Sequence, residues 1–250
     1  MHDSEGRINV TLCITAFNEQ DNLDELVDDL RWLHAQLPET KVVLVDNGST
    51  DATAEVLRLR ESELFPWFTF VQLSENLGYG GGLRKAVEVS GSKYVALLSA
   101  DRQYPIADIM ASIASFQGSA HDTGERVISV GNRVIREDPT AAKVVSRIYS
   151  MVTRLLITSG HLDINAQPKI LSRSIIMDHG VPWSQSFFFD AQIIAVAQYL
   201  GNTVVSTPVT FVNRRHGKSS WSGQRIRVYR QTLAEMWRFR KFLKGGGLNQ

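Results

Sequence analysis

The chain of 250 residues is 43% hydrophobic and 21% charged, a composition typical of globular proteins and far from that of disordered ones. Its 27 basic and 26 acidic residues nearly cancel, so the overall charge gives no reason to expect a nucleic-acid partner. Cys13 is the only cysteine, which excludes an internal disulfide and a zinc site made of thiolates.

The N-terminal sequence MHDSEGR is polar and lacks the apolar core of a signal peptide. No apolar run approaches the ~20 residues that are needed to cross a bilayer. We therefore expect a cytoplasmic protein, or one that lies peripherally on the cytosolic face of a membrane.

Strand-like and helix-like segments alternate through the first half of the chain. Apolar runs predict strands at 8–14, 41–46, 68–73, 93–99 and 127–131, and helical spacing predicts helices at 20–36, 51–62, 80–90 and 106–117. This alternation predicts an α/β fold with an open, mostly parallel sheet flanked by helices. Such sheets bind their ligands beyond the carboxyl ends of the strands.

The second half is less regular. Apolar spacing predicts helices at 141–157, 187–200 and 223–243 and one or two strands within 203–212. Because no linker is visible, we expect a single domain over 1–222, with the helix and tail of 223–250 part of it or appended to it.

Acidic side chains follow three of the predicted strands. Glu19 follows the first, Asp46 and Asp51 the second, and Asp101 the fourth. Because these strand ends share one edge of a parallel sheet, we expect the carboxylates to meet in one crevice. Clustered acids cost stability unless a cation or a ligand offsets their repulsion. Capping of the next helix explains Asp51, whereas the position of Asp46 favours ligand binding.

Five motifs occur in a fixed order along the chain: ITAFNE, VDNGSTDAT, SADRQYP, DINAQPK and NRRHGKS. In this order they resemble the family-two inverting glycosyltransferases, above all the dolichol-phosphate mannosyltransferase-like and polyprenyl-phosphate glycosyltransferase branch. The similarity extends over about residues 8–220. It implies a GT-A (Rossmann-like) fold, a GDP- or UDP-linked sugar donor, a divalent metal, and inversion at the anomeric carbon.

The resemblance also assigns the nucleotide site. Thr15, Phe17 and Glu19 would hold the base in the loop after the first strand, although the family usually has Pro and Tyr at the first two positions. Asp46 corresponds to the acid that accepts hydrogen bonds from the base. Asn47 stands where the family has a second acid.

The family's D-x-D motif, followed by Gln, corresponds here to Ser99, Ala100, Asp101 and Gln103, so a serine replaces the first acid. Ser99, Ala100 and Asp101 are expected at the nucleotide-sugar. Asp101 and Gln103 are the predicted ligands of Mg or Mn, which bind oxygen ligands. Loss of metal binding is the alternative.

Two arginines correspond to family residues near the diphosphate, where positive charge stabilises the leaving group. These are Arg133 and Arg214, and we predict catalytic roles for Arg214 and Asp101. Lys218, in a loop suited to a lid, is a candidate for the lysine that the family often has at position 220. A plain solvated charge explains Lys218 equally well.

The acceptor side is predicted from the same resemblance. Asp190 is the candidate catalytic base if the acceptor is a hydroxyl, whereas an ionised phosphate needs no base. Asp163 is a second candidate, expected on the acceptor side with Gln167 and Lys169; capping of a loop is its alternative role.

Two segments favour either peripheral membrane contact or packing in the core. They are the apolar stripe at 144–156 and the basic amphipathic segment at 224–244. The function expected first is sugar transfer to polyprenyl phosphate. Transfer to a hydroxyl of a cell-envelope glycan is the second hypothesis, and a silent nucleotide-sugar-binding module is the third.

Overall fold

A computed structural model describes residues 8–123, 126–157, 160, 163–215 and 225–248, excluding the side chains of 225–230. Its strands are β1 (Val10–Ala16), β2 (Lys41–Asp46), β3 (Phe68–Gln72), β4 (Tyr94–Ser99), β5 (Val127–Arg136), β6 (Lys169–Ser172) and β7 (Thr203–Phe211). Its α-helices are α1 (Leu23–Gln36), α2 (Thr53–Leu64), α3 (Gly78–Ser90), α4 (Ile106–Asp122), α5 (Thr140–Leu156), α6 (Ser174–Met177), α7 (Phe188–Tyr199) and α8 (Arg225–Lys244).

The described strands form one seven-stranded sheet in the order β3-β2-β1-β4-β6-β5-β7. Neighbouring strands are parallel except that β6 runs antiparallel to both β4 and β5. The expected α/β fold with a mostly parallel sheet is therefore confirmed. The sequence did not predict β6 or α6, because each has four residues, too few to show a periodicity.

The sheet is buried on both faces, as parallel sheets are. Successive residues of β1 point to opposite sides. Leu12 and Ile14 belong to a core cluster that includes residues of α1 and α4, and Cys13 belongs to a second one with residues of α3 and α7. The continuous apolar runs of β1, β2 and β4 are explained by this double burial.

The helix α8 both packs in the core and exposes apolar groups. Met236 and Phe239 are buried, and the Phe239 ring lies edge-on to Phe188 of α7 with 5.8 Å between centroids. On other sides of the helix, Leu233 and Trp237 are exposed. Core packing therefore accounts for only part of its apolar residues.

Much of the apolar stripe of α5 is exposed, whereas Val152 and Leu156 pack against the core cluster that contains Cys13. The exposed residues of the stripe are Val144, Val145, Ile148, Met151 and Leu155. Among the helices of the described ranges, none combines the length and the hydropathy that crossing a bilayer requires.

Glycines at the start of α3 permit close packing. A Cβ atom on Gly80 would overlap the Ser184 carbonyl oxygen and crowd the Phe189 side chain, and one on Gly82 would overlap Thr15 Oγ1. The Gly80 N–H donates to the Gln185 carbonyl at 2.9 Å. This glycine-rich stretch therefore allows α3 to approach its neighbours closely.

We predict that Gly80→Ala lowers the free energy of unfolding by about 1–3 kcal/mol, because the added methyl group meets a carbonyl that cannot move freely. Gly118→Ala is the matched control. Its Cβ would meet nothing within 4 Å on α4, so helix propensity should raise stability by about 0.5–1 kcal/mol. Urea denaturation of both variants measures the difference, and equal stabilities would contradict the packing argument.

Candidate active site

An open cleft of about 1190 Å³ lies at the carboxyl ends of β1 and β4, large enough for a nucleotide-sized ligand. The predicted site residues that line it are Thr15, Phe17, Glu19, Asn47, Ser99, Asp101, Gln103, Arg133, Gln167, Asp190 and Arg214. Four other predicted residues are described but do not line it: Asp46, Ala100, Asp163 and Lys169. Lys218 lies outside the described residues.

Two carboxylates from different strand ends meet at one guanidinium. Arg214 Nη1 lies 3.1 Å from Glu19 Oε1, and its Nη2 lies 2.9 Å from Asp101 Oδ2. Burial raises the pKa of Glu19, Arg214 lowers it, and the nearby charge of Asp101 raises it. The predicted convergence of Glu19 and Asp101 is therefore observed, and Arg214 offsets their repulsion.

The other two acids have different surroundings. Asp51 was expected to be the N-cap of α2, but that position is Ala52; Asp51, one residue earlier, accepts the Thr53 N–H through Oδ1 at 3.0 Å. Asp46 is fully buried, and its Oδ1 accepts the Ser49 N–H at 3.0 Å. Its Oδ2 is buried without a hydrogen-bond partner among the described residues. That oxygen has acceptor capacity, but Asp46 does not line the cleft, so its contact with a base stays a prediction.

The loops after β1 and β2 are tied to each other. Asn18, in the left-handed region with φ 56°, accepts the Thr50 N–H through Oδ1 at 2.8 Å. The Glu19 N–H donates to Thr53 Oγ1 at 2.9 Å. These bonds fix the loop that bears Phe17 and Glu19 before any ligand binds.

Asn47 differs from the family's acid for a reason visible in the structure. Its Nδ2 donates to the Gly78 carbonyl at 2.9 Å, while its Oδ1 accepts the Leu77 N–H at 3.0 Å. An aspartate could accept but could not donate. Asn47 lines the cleft, and its side-chain hydrogen bonds orient the start of α3.

Oxygen atoms suited to a hard cation are present in the segment 99–103, which corresponds to the family's D-x-D motif and is called the metal motif below. Asp101 is in place, and Gln103 donates to the Val212 carbonyl through Nε2 at 3.1 Å, so its side-chain oxygen retains acceptor capacity. Within the described part of the chain, no group of three or more His, Cys, Asp or Glu residues is placed to hold a metal ion. A cation here would therefore need diphosphate oxygens and waters to complete its shell.

Gln167 lines the cleft and hydrogen-bonds Ser99, and its predicted place on the acceptor side stays a prediction. Its Oε1 accepts the Ser99 N–H at 2.9 Å, and its Nε2 donates to Ser99 Oγ at 3.0 Å. Nε2 also lies 3.0 Å from Tyr79 Oη. The hydroxyl of Ser99, at the position of the family's first acid, is thus fixed by a neutral amide.

Lys169, which was predicted on the acceptor side, is buried in the interior and does not itself line the cleft. Its Nζ is 3.0 Å from Asp190 Oδ1, and both side chains are 1% exposed. Tyr79 Oη donates to the same carboxylate at 3.3 Å. Burial raises the pKa of Asp190 and lowers that of Lys169, each against the attraction of the other. Asp190 lines the cleft while paired with Lys169, and its role as a base stays a prediction.

Asp163 forms a second ion pair, with Arg133. The Arg133 Nε donates to Asp163 Oδ2 at 2.8 Å, and its Nη2 donates to Ser146 Oγ at 3.0 Å. Burial alone would raise the pKa of Asp163, but the bonds from Arg133 hold it below its ordinary value. The guanidinium also stacks on Phe211, 5.1 Å from the ring centroid. Asp163 thus fixes an arginine that lines the cleft.

Several contributors were not predicted from the sequence. Tyr79 lies within the glycine-rich stretch, and its ring stacks on Phe187 with 4.5 Å between centroids. Glu25 of α1 pairs with Arg102 of the metal motif and, at 3.3 Å, with Arg215. A surface helix that carries acids gives no sequence signal for such partners.

The chain matches the family described as Glycosyl transferase family 2 over residues 11–179. It is 26% identical over 220 residues to an undecaprenyl-phosphate 4-deoxy-4-formamido-L-arabinose transferase of Pseudomonas fluorescens, covering 87% of this chain and 61% of that protein. It is 25% identical to the polyprenol monophosphomannose synthase of Mycolicibacterium smegmatis, covering 89% of this chain and 84% of that one.

A solved structure with a similar fold is glucosyl-3-phosphoglycerate synthase from Mycobacterium tuberculosis in complex with Mn²⁺ and UDP-glucose. Its TM-score is 0.68 at 16% identity, with 93% of this chain and 79% of that chain covered. The expected GT-A fold and the resemblance given by the five motifs are confirmed.

We predict that Lys169→Met lowers the free energy of unfolding by about 3–5 kcal/mol, because it leaves the Asp190 carboxyl buried without its counter-ion. Lys169→Met/Asp190→Leu removes both charges and should lose less than half as much. Chemical denaturation of the two variants tests this, and a single variant as stable as the wild type would show that the pair is not needed to offset burial.

Proposed function

Because the chain belongs to glycosyl transferase family 2, we propose that this glycosyltransferase moves a sugar from a nucleoside diphosphate to polyprenyl phosphate with inversion. The observation that supports this most directly is the cleft in which Glu19, Asp101 and Arg214 meet at the carboxyl edge of the sheet. These charges suit a site where a diphosphate is held and then leaves as an anion.

The donor is proposed to be a GDP- or UDP-linked sugar. Phe17 lines the cleft beside Thr15 and offers an aromatic face to the base. The buried Asp46 Oδ2 has the acceptor capacity that an N–H of guanine or uracil would use. Arg133 and Arg214 line the same cleft and would lie near the diphosphate.

A divalent cation, Mg or Mn, is proposed to bind through Asp101 and Gln103. When bound, such an ion neutralises charge that develops on the departing diphosphate. The similar synthase from Mycobacterium tuberculosis is described as a complex with Mn²⁺ and UDP-glucose, which supports the proposal. The positive charges of Arg133 and Arg214 would supplement the cation during departure of the leaving group.

The acceptor is proposed from the state of the two candidate bases. Asp190 is paired with Lys169, and Asp163 with Arg133, so each predicted base would have to give up or share an ion pair to act on a hydroxyl. An ionised phosphate oxygen can attack the anomeric carbon directly while the bond from that carbon to the diphosphate oxygen breaks. The names of the two bacterial relatives, which specify undecaprenyl phosphate and a polyprenol monophosphate product, agree with such an acceptor.

Transfer to a glycan hydroxyl is the second candidate. Ser99 in place of the family's first acid, with its hydroxyl held by Gln167, is the observation that favours a divergent reaction. An incubation with labelled nucleotide sugars and extracted lipids distinguishes the two: polyprenyl phosphate gives a product that enters organic solvent. A product that is found only in water would reject the lipid acceptor.

Peripheral membrane contact is proposed at the outer face of α5. Val145 and Tyr149 of this helix line the cleft, while Ile148, Met151 and Leu155 are exposed beside them. A polyprenyl chain whose phosphate enters the cleft would meet this face. The cytosolic side of the membrane remains the location expected from the sequence.

Asp101→Ala should lower the rate of sugar transfer by more than about 100-fold, because it removes a proposed ligand of the cation at the leaving group. Asp122→Ala, an exposed carboxylate at the end of α4, serves as the control and should keep the wild-type rate. Product is counted by liquid chromatography with and without a chelator. Unchanged turnover in the chelator would exclude the cation.

Ile148→Asp/Met151→Asp should weaken binding to anionic liposomes by more than about tenfold, since burying one such side chain contributes about 1.5–3 kcal/mol. Leu59→Asp is the matched control, because Leu59 is 65% exposed on α2 and is not part of this face. Flotation assays measure the bound fraction. Equal binding of both variants would argue against α5 as the contact.

A further inference from the structure

Arg214 holds a position that a cation on Asp101 would need. Its guanidinium bridges Asp101 Oδ2 and Glu19 Oε1 at 2.9 and 3.1 Å. The other Asp101 oxygen, Oδ1, accepts the Gln103 N–H at 3.3 Å. Both oxygens of the only carboxylate among the proposed metal ligands are therefore engaged within the protein.

The backbone just before Arg214 is hydrogen-bonded to Gln103, one of the two proposed metal ligands. The Val212 N–H donates to the Gln103 carbonyl at 2.9 Å, and Gln103 Nε2 donates back to the Val212 carbonyl at 3.1 Å. The Asn213 N–H donates to Glu137 Oε2 at 3.0 Å. The guanidinium thus reaches the two acids from a backbone segment that is held in place by these hydrogen bonds.

Charge makes the guanidinium and a cation competitors. A divalent cation held by Asp101 would share that carboxylate with the Arg214 guanidinium and would therefore lie close to it. Like charges so close repel strongly even with the screening typical of protein surfaces. With Arg214 in this position, the charge of Asp101 is already neutralised, so a divalent cation would gain little binding free energy from this carboxylate.

A diphosphate would change this balance. It brings two or more negative charges into the cleft and offers the guanidinium a bidentate partner, which arginine binds well. If Arg214 bound phosphate oxygens instead, Asp101 would be free to hold a cation together with Gln103.

We propose that Arg214 is an internal counter-cation, which keeps the divalent metal out of the ligand-free site until a nucleoside diphosphate draws its guanidinium away from Asp101. The inference rests on the proposed donor site and adds an order to it. Metal and nucleotide bind cooperatively, and the metal alone binds weakly.

The experiment measures Mn²⁺ binding to the full chain by the electron paramagnetic resonance signal of the free ion, with and without GDP or UDP. Without nucleotide, Arg214→Gln should bind Mn²⁺ at least about tenfold more tightly than the wild type, because the competing charge is gone. Arg214→Lys keeps the charge and should stay close to the wild type. Arg215→Gln is the control, because Arg215 pairs with Glu25 and not with Asp101.

A second measurement uses the wild type alone, in case Arg214→Gln folds poorly by circular dichroism. Saturating GDP or UDP should tighten Mn²⁺ binding by at least about tenfold. The same titration with Asp101→Asn measures the manganese that the nucleotide binds without the proposed metal site, and this amount is subtracted. Equal Mn²⁺ affinity of a folded Arg214→Gln and the wild type, or no coupling in the wild type, would overturn the inference while leaving the donor site intact. Absence of Mn²⁺ and nucleotide binding in every protein would instead refute the proposed site.

Discussion

Repulsion between acids at one edge of the sheet is the constraint on which the site depends. Parallel strands β1 and β4 end side by side, which brings Glu19 and Asp101 close enough for one guanidinium to contact both. Two carboxylates in a partly buried crevice would destabilise the fold if they stood alone. The chain meets this cost with Arg214, which arrives from the far end of the sheet after β7. The same arrangement leaves the crevice electrostatically prepared for a ligand that brings both a cation and anionic oxygens.

Polar side chains at the floor of the cleft form a connected hydrogen-bond network. Gln167 joins Ser99 to Tyr79, and Tyr79 joins Gln167 to the buried pair of Lys169 and Asp190. Buried polar networks of this kind are stabilising when every member has a partner and costly when one is lost. Two of the departures from the family pattern fit the same logic. Asn47 needs its amide to bond Gly78, and the Ser99 hydroxyl accepts a hydrogen bond from a neutral amide.

The sequence predicted much of the fold because apolar spacing is local. The strand at 41–46 was predicted with the bounds of β2, and the helices α1 to α5 lie within a few residues of their predicted positions. The ion-pair partner of a side chain depends on residues far away in the sequence, and the predictions about such partners were weaker. Lys169 was expected at the acceptor side, but a four-residue antiparallel strand carries it into the interior against Asp190. The pairing of Arg133 with Asp163 likewise depends on the way β5 and the segment before β6 meet. The order of the motifs was enough to predict which strand ends form the cleft. The ion pairs in and around it could be identified only from the three-dimensional structure.

The distribution of neutral and charged groups at the strand ends has a kinetic consequence. With Asn47 and Ser99 uncharged and Arg214 set against Glu19 and Asp101, the mouth of the cleft has far less negative potential than a cluster of four carboxylates would create. A donor that is itself a polyanion therefore meets a small electrostatic barrier as it diffuses in. Its encounter rate should consequently vary only modestly with ionic strength, in contrast to sites that rely on a metal already in place to attract their substrate.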